Sequence, residues 1–191
     1  MLSDRCLFFI QLWFALLSMI GNGTHQHRRP FRVAPAVIAD ELRQLQGGVV
    51  DTSTLIYLDR LRLLPVAARS FSLVLIPGVI REYGGCPPGC RQMDIVSTGT
   101  TDEQLCRTAQ LLAEPVLSED RRVLEQTNLY DLPFYNTLML VIALCVQHRL
   151  PLTAYPDIRR RLGTFARYSA EIFGVGDAVY EIVLHRSKDP G

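Results

Sequence analysis

After residue 47, short and continuous apolar runs alternate with helical patterns, and this alternation is the feature that most limits the fold. Four runs have the length of strands and are listed here: "VV" at 49–50, "FSLVLIP" at 71–77, "PVLSED" at 115–120 and "LPFYN" at 132–136. Their apolar residues are continuous, as in parallel strands that helices cover on both faces. We therefore expect an α/β fold, a three-layer sandwich around a mainly parallel sheet.

The segments between these runs predict helices. Leucines recur at helical spacing from Leu55 through Leu58 and Leu61, with Leu64 beyond, and predict one face of a helix. The other predicted helices cover 79–83, 100–114, 121–126 and 137–148, and the stretch 84–99, rich in Gly and Pro, is predicted to be a loop. Thr101 and Gln104 form the pattern of a capping box at a helix start. A Gly-x-Gly at 174–176 does not follow a strand, so we assign it to a turn between helical segments.

Acidic residues stand where the predicted strands and helices meet. Asp51 ends the first strand, Glu82 follows the second, and Asp120 follows the third. Asp102 and Glu103 begin a helix, and either could be the third acid; we favour Asp102. Parallel strands point their carboxyl ends toward one edge of the sheet, where ligands bind. We therefore expect four carboxylates from four segments to meet at that edge.

Such a cluster of like charges is repulsive, and each carboxylate raises the pKa of the others. A hard divalent cation removes this penalty, and Mg²⁺ or Mn²⁺ prefers oxygen ligands and retains water. A metal held in this way activates water against a phosphodiester. Each acid also has an ordinary structural interpretation as a helix cap, a first-turn residue or an exposed helix residue. The prediction depends on the joint pattern.

The composition sets limits on compartment and partners. The chain has 191 residues and a net charge of +1, so no long-range field identifies a partner. Five cysteines, an odd number, do not resemble a secreted disulfide scaffold, and we expect free thiols in a reducing, cytoplasmic compartment. Cys86 and Cys90 lie close in sequence, but Cys145 and His148 fall within an apolar helical stretch, and we do not expect a zinc site.

Residues 1–46 form an N-terminal apolar segment and linker, and residues 47–187 form the main domain. The run "LFFIQLWFALLSMI" at 7–20 predicts a hydrophobic helix that is short for a membrane span, which needs about 20 residues. Three explanations stay open: a membrane anchor, a signal peptide or a misassigned translation start. For an anchor, Arg28, Arg29 and Arg32 would place the main domain on the cytoplasmic side.

The segments that carry the acids resemble the PIN-domain nucleases. "VVDTSTLIYLDRLRLLP" is similar to that family's opening strand and first acid, with Ser53 two residues later, and "LVLIPGVIRE" is similar to its second motif. "TDEQLCRTAQLLAEPVLSEDRRVL" resembles the third and fourth acidic motifs, and "LPFYNTLMLVIAL" the strand and helix that follow. Ser118 stands where the family usually has Thr. The resemblance covers residues 47–152, and more loosely the tail to 184.

The resemblance implies a ribonuclease that depends on Mg²⁺ or Mn²⁺. Asp51 and Asp120 would bind the principal metal and Asp102 would assist. Glu82 would complete the site and help to orient the attacking water. The hydroxyls of Ser53 and Ser118 would position waters or carboxylates. Many bacterial members of the family are toxins that a small antitoxin protein inhibits and others process RNA, so an antitoxin is an expected partner by analogy.

Arginines near the acids are candidates for contact with RNA phosphates, namely Arg121, Arg122, Arg159 and Arg160. A solvated helix face explains the run at 159–161 equally simply. The tail after residue 165 either packs on the sheet or contributes to a homodimer interface. The alternative to a nuclease is a non-catalytic nucleic-acid-binding or regulatory module on the same scaffold, tethered to a membrane by residues 7–20.

Overall fold

A central sheet of five parallel strands organises the chain, as seen in a computed structural model that describes residues 34–94 and 98–188. The strands are β1 (Gly47–Val50), β2 (Ser72–Leu75), β3 (Arg91–Gln92), β4 (Val116–Leu117) and β5 (Phe134–Tyr135). Their order across the sheet is β3-β2-β1-β4-β5. The predicted α/β class with a parallel sheet is therefore confirmed.

Nine α-helices occur in the described residues. They are α1 (Pro35–Gln44), α2 (Thr52–Arg60), α3 (Leu64–Ser70), α4 (Pro77–Tyr83), α5 (Thr101–Leu112), α6 (Arg121–Leu129), α7 (Thr137–Val146), α8 (Tyr155–Leu162) and α9 (Ala170–Lys188). A 3₁₀ turn at Leu152–Ala154 leads into α8. The hydrophobic helix predicted at 7–20 lies outside the described residues. None of the helices in residues 34–94 and 98–188 combines the length and the apolar character needed to cross a membrane.

Strand β1 lies at the centre of the sheet and explains the continuous apolar pattern. Val49 pairs with Val74 of β2 on one side and with Val116 of β4 on the other. All four residues of β1 are buried. Because helices cover both faces of the sheet, an apolar side chain is buried whichever way it points. The carboxyl ends of the strands share one edge, where Asp51 follows β1.

The most apolar helix, α7, forms the centre of the helical packing, and all ten of its residues are buried. Helix α1 packs against it with Ile38, Ala39 and Leu42 fully enclosed. The Gln147 side-chain amide donates to the carbonyl oxygens of Leu42 (3.0 Å) and Leu45 (2.8 Å). Helix α1, which precedes residue 47, is therefore packed against the core.

Two predictions about irregular structure are wrong. The stretch 84–99, predicted to be a loop, contains the edge strand β3, which pairs with Val74 and Leu75. The tail does not turn at 174–176, since α9 runs unbroken from Ala170 to Lys188. A Cβ at Gly176 would lie 2.5 Å from Cδ2 of Leu138, so this glycine serves the close approach of α9 to α7.

Candidate active site

Asp51 occupies the carboxyl end of the central strand and caps α2. Its Oδ1 accepts a hydrogen bond from the Thr52 backbone N–H at 2.8 Å. Its Oδ2 accepts from the hydroxyls of Ser53 at 2.6 Å and Ser118 at 2.8 Å. Only 9% of Asp51 is exposed. Three donors from two segments therefore hold this carboxylate in one orientation.

Ser118 joins Asp51 to the next acid along the edge. It follows β4 and is fully buried, and its Oγ accepts from the backbone N–H of Asp120 at 3.0 Å. Asp120 caps α6, with its Oδ1 accepting from the Arg122 backbone N–H at 2.7 Å. The Asp120 residue itself is exposed to solvent. The hydroxyl of Ser118 thus links the fixed carboxylate of Asp51 to the backbone of Asp120.

Glu82 reaches the same edge from the second half of α4. Its Oε2 accepts from the hydroxyl of Thr52 at 2.8 Å, one residue from Asp51. Helix α4 also approaches the start of α5, because a Cβ at Gly78 would lie 2.9 Å from the Thr101 hydroxyl oxygen. This close approach brings the third acidic segment next to the second.

The start of α5 distinguishes Asp102 from Glu103. Glu103 forms a capping box with Thr100: its Oε2 accepts from the Thr100 N–H at 3.0 Å, and its own N–H donates to the Thr100 hydroxyl at 3.3 Å. The box predicted at Thr101 and Gln104 is therefore wrong by one residue, since the helix begins at Thr101. Glu103 stabilises its own helix end, and Asp102 is left to face the other acids.

Electrostatics places Asp102 among the other three acids. Its pKa is raised, first by partial burial and then by the negative charges of Asp51, Asp120 and Glu82. The positive charge of Arg122 opposes this rise. Asp102 thus lies close enough to Asp51, Asp120 and Glu82 for their charges to act on its carboxylate.

The donor set fits a hard cation by its chemistry, because every group is a carboxylate or a hydroxyl. In residues 34–94 and 98–188, no three acidic, histidine or cysteine side chains are arranged to hold a metal ion together. A cation such as Mg²⁺ binds proteins through one or two carboxylates and keeps several waters, so it does not need three direct ligands. The residues present are compatible with a hydrated divalent ion.

Two of the four candidate RNA-binding arginines lie beside the acids on α6. Arg121 forms an ion pair with Glu125 at 3.0 Å, one helical turn later, and both side chains are more than half exposed. Such exposed pairs contribute little to stability. Arg122 is exposed and lies near Asp102, where its positive charge opposes the rise in the pKa of that carboxyl. Both remain candidates for phosphate contact.

The other two arginines take part in contacts within the C-terminal half. Arg159 forms an ion pair with Asp177 at 2.9 Å, and its guanidinium lies 4.5 Å from the ring centroid of Phe173. Arg160 forms an ion pair with Asp157 on the same helix. Arg159 therefore connects α8 to α9, which is a structural role, whereas Arg160 is exposed on the surface.

Glu119 is a residue that the sequence interpretation missed. Its Oε1 accepts from the Thr54 hydroxyl (3.1 Å), the Thr137 backbone N–H (2.8 Å) and the Thr137 hydroxyl (2.6 Å). Its Oε2 accepts from the hydroxyl of Tyr168. Burial of this carboxylate raises its pKa, and the hydrogen bonds from Thr137, Tyr168 and Thr54 oppose the rise. In sequence Glu119 lies between Ser118 and Asp120, and no local pattern indicates that its carboxylate turns inward.

The chain matches no family model, no curated protein and no solved structure. The acidic edge of the sheet is therefore the feature from which function is inferred.

Proposed function

We propose that the protein is a metal-dependent endoribonuclease that hydrolyses RNA phosphodiester bonds. The observation that supports this most is the meeting of Asp51, Glu82, Asp102 and Asp120 at the carboxyl edge of a parallel sheet. Carboxylates near one another repel, and a bound divalent cation would relieve that repulsion. Ligands of parallel α/β sheets bind at this edge.

The contacts and exposure of each acid suit it to a different role. Asp51 and Asp120 would hold the principal Mg²⁺ or Mn²⁺, and Asp102 would assist. When bound, such an ion lowers the pKa of water and stabilises the leaving oxygen of a phosphodiester. Glu82 is exposed and held by Thr52, which suits a group that orients the attacking water. Ser53 and Ser118 fix the orientation of Asp51, as groups behind a metal ligand do.

The same proposal covers the detailed fold, the substrate, the cellular location and the partners. A PIN-like three-layer sandwich is supported by the strand order and by the places of the four acids along it. RNA is the proposed substrate, with Arg121 and Arg122 beside the acids. A cytoplasmic location, a small antitoxin partner and a homodimer belong to the proposal by analogy with the resembling family.

One observation favours a non-catalytic module as the second candidate. In the described residues no three potential ligands are arranged around a single metal position. A regulatory or nucleic-acid-binding module on this scaffold would keep the acidic edge without needing that arrangement. Such a module would bind RNA without cleaving it, and the substitution Asp51→Asn would leave RNA binding unchanged.

Cleavage of defined RNAs in the presence of Mn²⁺ separates the two candidates. We expect the native chain to cleave, chelation of the metal to stop cleavage, and Asp51→Asn to abolish it while the fold is retained. The matched control is Asp59→Asn, which removes the same charge from an exposed position near the other end of α2. Equal cleavage by the two variants, or none by the native chain, would reject the nuclease.

A further inference from the structure

We propose that Glu119 is a positioning residue of the acidic edge, and that through it the C-terminal segment around Tyr168 supports the active site. The inference rests on the proposed metal-dependent function. It adds a residue outside the four acids and assigns the tail a role in activity.

The Glu119 carboxylate connects three separate parts of the fold. Thr54 belongs to α2, Thr137 begins α7, and Tyr168 lies in the connection between α8 and α9. Four donors from these parts converge on the two oxygens of Glu119. Glu119 is partly buried, and its carboxylate is stabilised while these donors remain, because a charge withdrawn from water without partners is costly. The carboxylate thus fixes the β4–α6 connection in one place.

The backbone of Glu119 transmits this position to the acids. Its N–H donates to the Ser53 hydroxyl at 3.1 Å, and that hydroxyl donates to Oδ2 of Asp51 at 2.6 Å. Its two neighbours in sequence are Ser118, which also donates to Asp51, and Asp120. A shift of Glu119 therefore displaces two of the proposed metal ligands at once.

Tyr168 is itself held so that its hydroxyl meets Glu119. Its ring lies against Phe173 with centroids 5.5 Å apart and against Tyr57 at 6.2 Å. The guanidinium of Arg159 lies over the Phe173 ring and helps to hold that ring in place. The backbone N–H of Arg167 donates to the Tyr57 hydroxyl at 3.4 Å. The aromatic contacts limit the rotation of Tyr168 and keep its donor aimed at the carboxylate.

Three variants of the full chain test the role. Glu119→Ala removes all four hydrogen bonds. Glu119→Gln keeps an oxygen for Thr54 and Thr137, and its amide donates to the Tyr168 oxygen, so it is the conservative rescue. Tyr168→Phe removes a single donor and keeps the ring. The matched control is Tyr180→Phe, which removes a hydroxyl that donates to the Leu152 carbonyl at 3.2 Å, away from the acids.

The measurements are the Mn²⁺ dissociation constant by calorimetry and, at saturating Mn²⁺, kcat and KM for a defined RNA. We expect Glu119→Ala to weaken Mn²⁺ binding about 10- to 100-fold, as substitutions behind metal ligands do. We expect Tyr168→Phe to weaken it about three- to tenfold, corresponding to one lost hydrogen bond. Glu119→Gln and Tyr180→Phe are expected to bind Mn²⁺ as the native chain does. In Glu119→Ala and Tyr168→Phe, kcat is expected to fall with little change in KM.

Native Mn²⁺ affinity in Glu119→Ala and Tyr168→Phe, with only the melting temperature lowered, would overturn the inference and leave a structural role. Failure of Glu119→Gln to restore affinity in soluble, folded protein would also overturn it. If Glu119→Ala does not fold, Tyr168→Phe against Tyr180→Phe decides the question. Equal Mn²⁺ uptake by the native chain and Asp51→Asn would reject the metal site itself, and that result is distinguishable from native affinity in the Glu119 variants.

Discussion

Replacing Asp102 by Asn is expected to stabilise the protein in the absence of metal. Asp102 lies in the first turn of α5, where a negative charge normally gains from the helix dipole. Its pKa is nevertheless raised, because burial and the negative charges of Asp51, Asp120 and Glu82 outweigh the attraction of Arg122. The net electrostatic free energy at this position is therefore unfavourable, and removal of the charge relieves it.

The magnitude is small because Asp102 is only partly buried. Pairs of partly exposed charges are screened by water and contribute up to about 1 kcal/mol. The loss of the dipole interaction costs about 0.3–1 kcal/mol in the other direction. We expect a net increase of about 0.5 kcal/mol in the free energy of unfolding. Helix propensity does not interfere, since Asp and Asn have nearly equal values.

Urea denaturation with chelator at pH 7 measures this difference, and Glu103→Gln is the control. Gln at 103 keeps an acceptor for the Thr100 N–H but loses the charge at the same helix end, so we expect it to lower stability by about 0.3–1 kcal/mol. Two neighbouring acids should thus give changes of opposite sign. Higher salt should reduce the gain in Asp102→Asn by screening the repulsion.

The pH dependence gives a second test of the same reasoning. The folded state holds a proton on Asp102 more tightly than the unfolded chain does, so the contribution of Asp102 to native stability falls as pH rises from the unfolded pKa of 3.8 through the raised folded value. Asp102→Asn does not lose stability in this way. The excess in its free energy of unfolding over the native chain should therefore appear over that pH interval and persist above it. A destabilisation equal to that of Glu103→Gln, or a gain that is the same below pH 3.8, would refute the mutual repulsion.

Further predictions concern the packing. Gly176→Ala should lower the free energy of unfolding by about 1–3 kcal/mol, because its Cβ would lie 2.5 Å from Leu138. Gly174→Ala, with nothing within 4 Å of its Cβ, should raise the free energy of unfolding by about 0.5–1 kcal/mol. Thermal melts of the two variants check this, and equal effects would contradict it. Leu42→Ala should lower the free energy of unfolding, measured by urea denaturation, by about 2–5 kcal/mol, because α1 belongs to the core. Leu111 is 73% exposed, so Leu111→Ala should change that free energy little. A mild effect at Leu42 would show that α1 is dispensable.

Sequence patterns identified the parts of the fold whose burial is uniform. Strands β1 and β2 and helix α7 have continuous apolar residues because both faces are covered, and no competing pattern obscures them. Strand β3 could not be found in this way. Arg91 and Gln92 are both exposed at the sheet edge, so they show neither an apolar run nor alternation.

Tertiary packing decided the elements that the sequence interpretation assigned wrongly. Gly174 and Gly176 predict a turn locally, but α9 passes through them because the second glycine permits contact with Leu138. Helix α1 carries Ile38 and Leu42 at helical spacing, and the partners that bury them lie more than 90 residues further along the chain. Distant contacts of this kind leave no signal in a local window.

The acidic edge was predictable because topology alone brings the carboxyl ends of parallel strands together. The hydrogen bonds that fix it were less so. Ser53 and Ser118 stood at recognisable positions, but Glu119 meets Tyr168 only after the chain has folded. The capping role of Glu103 likewise depends on the helix starting at Thr101 with Thr100 as its cap, and a shift of one residue would have given that role to Gln104.

Calorimetric titration of Mn²⁺ into the native chain and into Asp51→Asn tests the central claim most directly. If the acidic edge exists to hold a cation, the native chain takes up Mn²⁺ with a measurable heat, the Asp59→Asn control does the same, and Asp51→Asn loses the uptake. Absence of uptake by the native chain, or the same uptake by Asp51→Asn, would contradict the account.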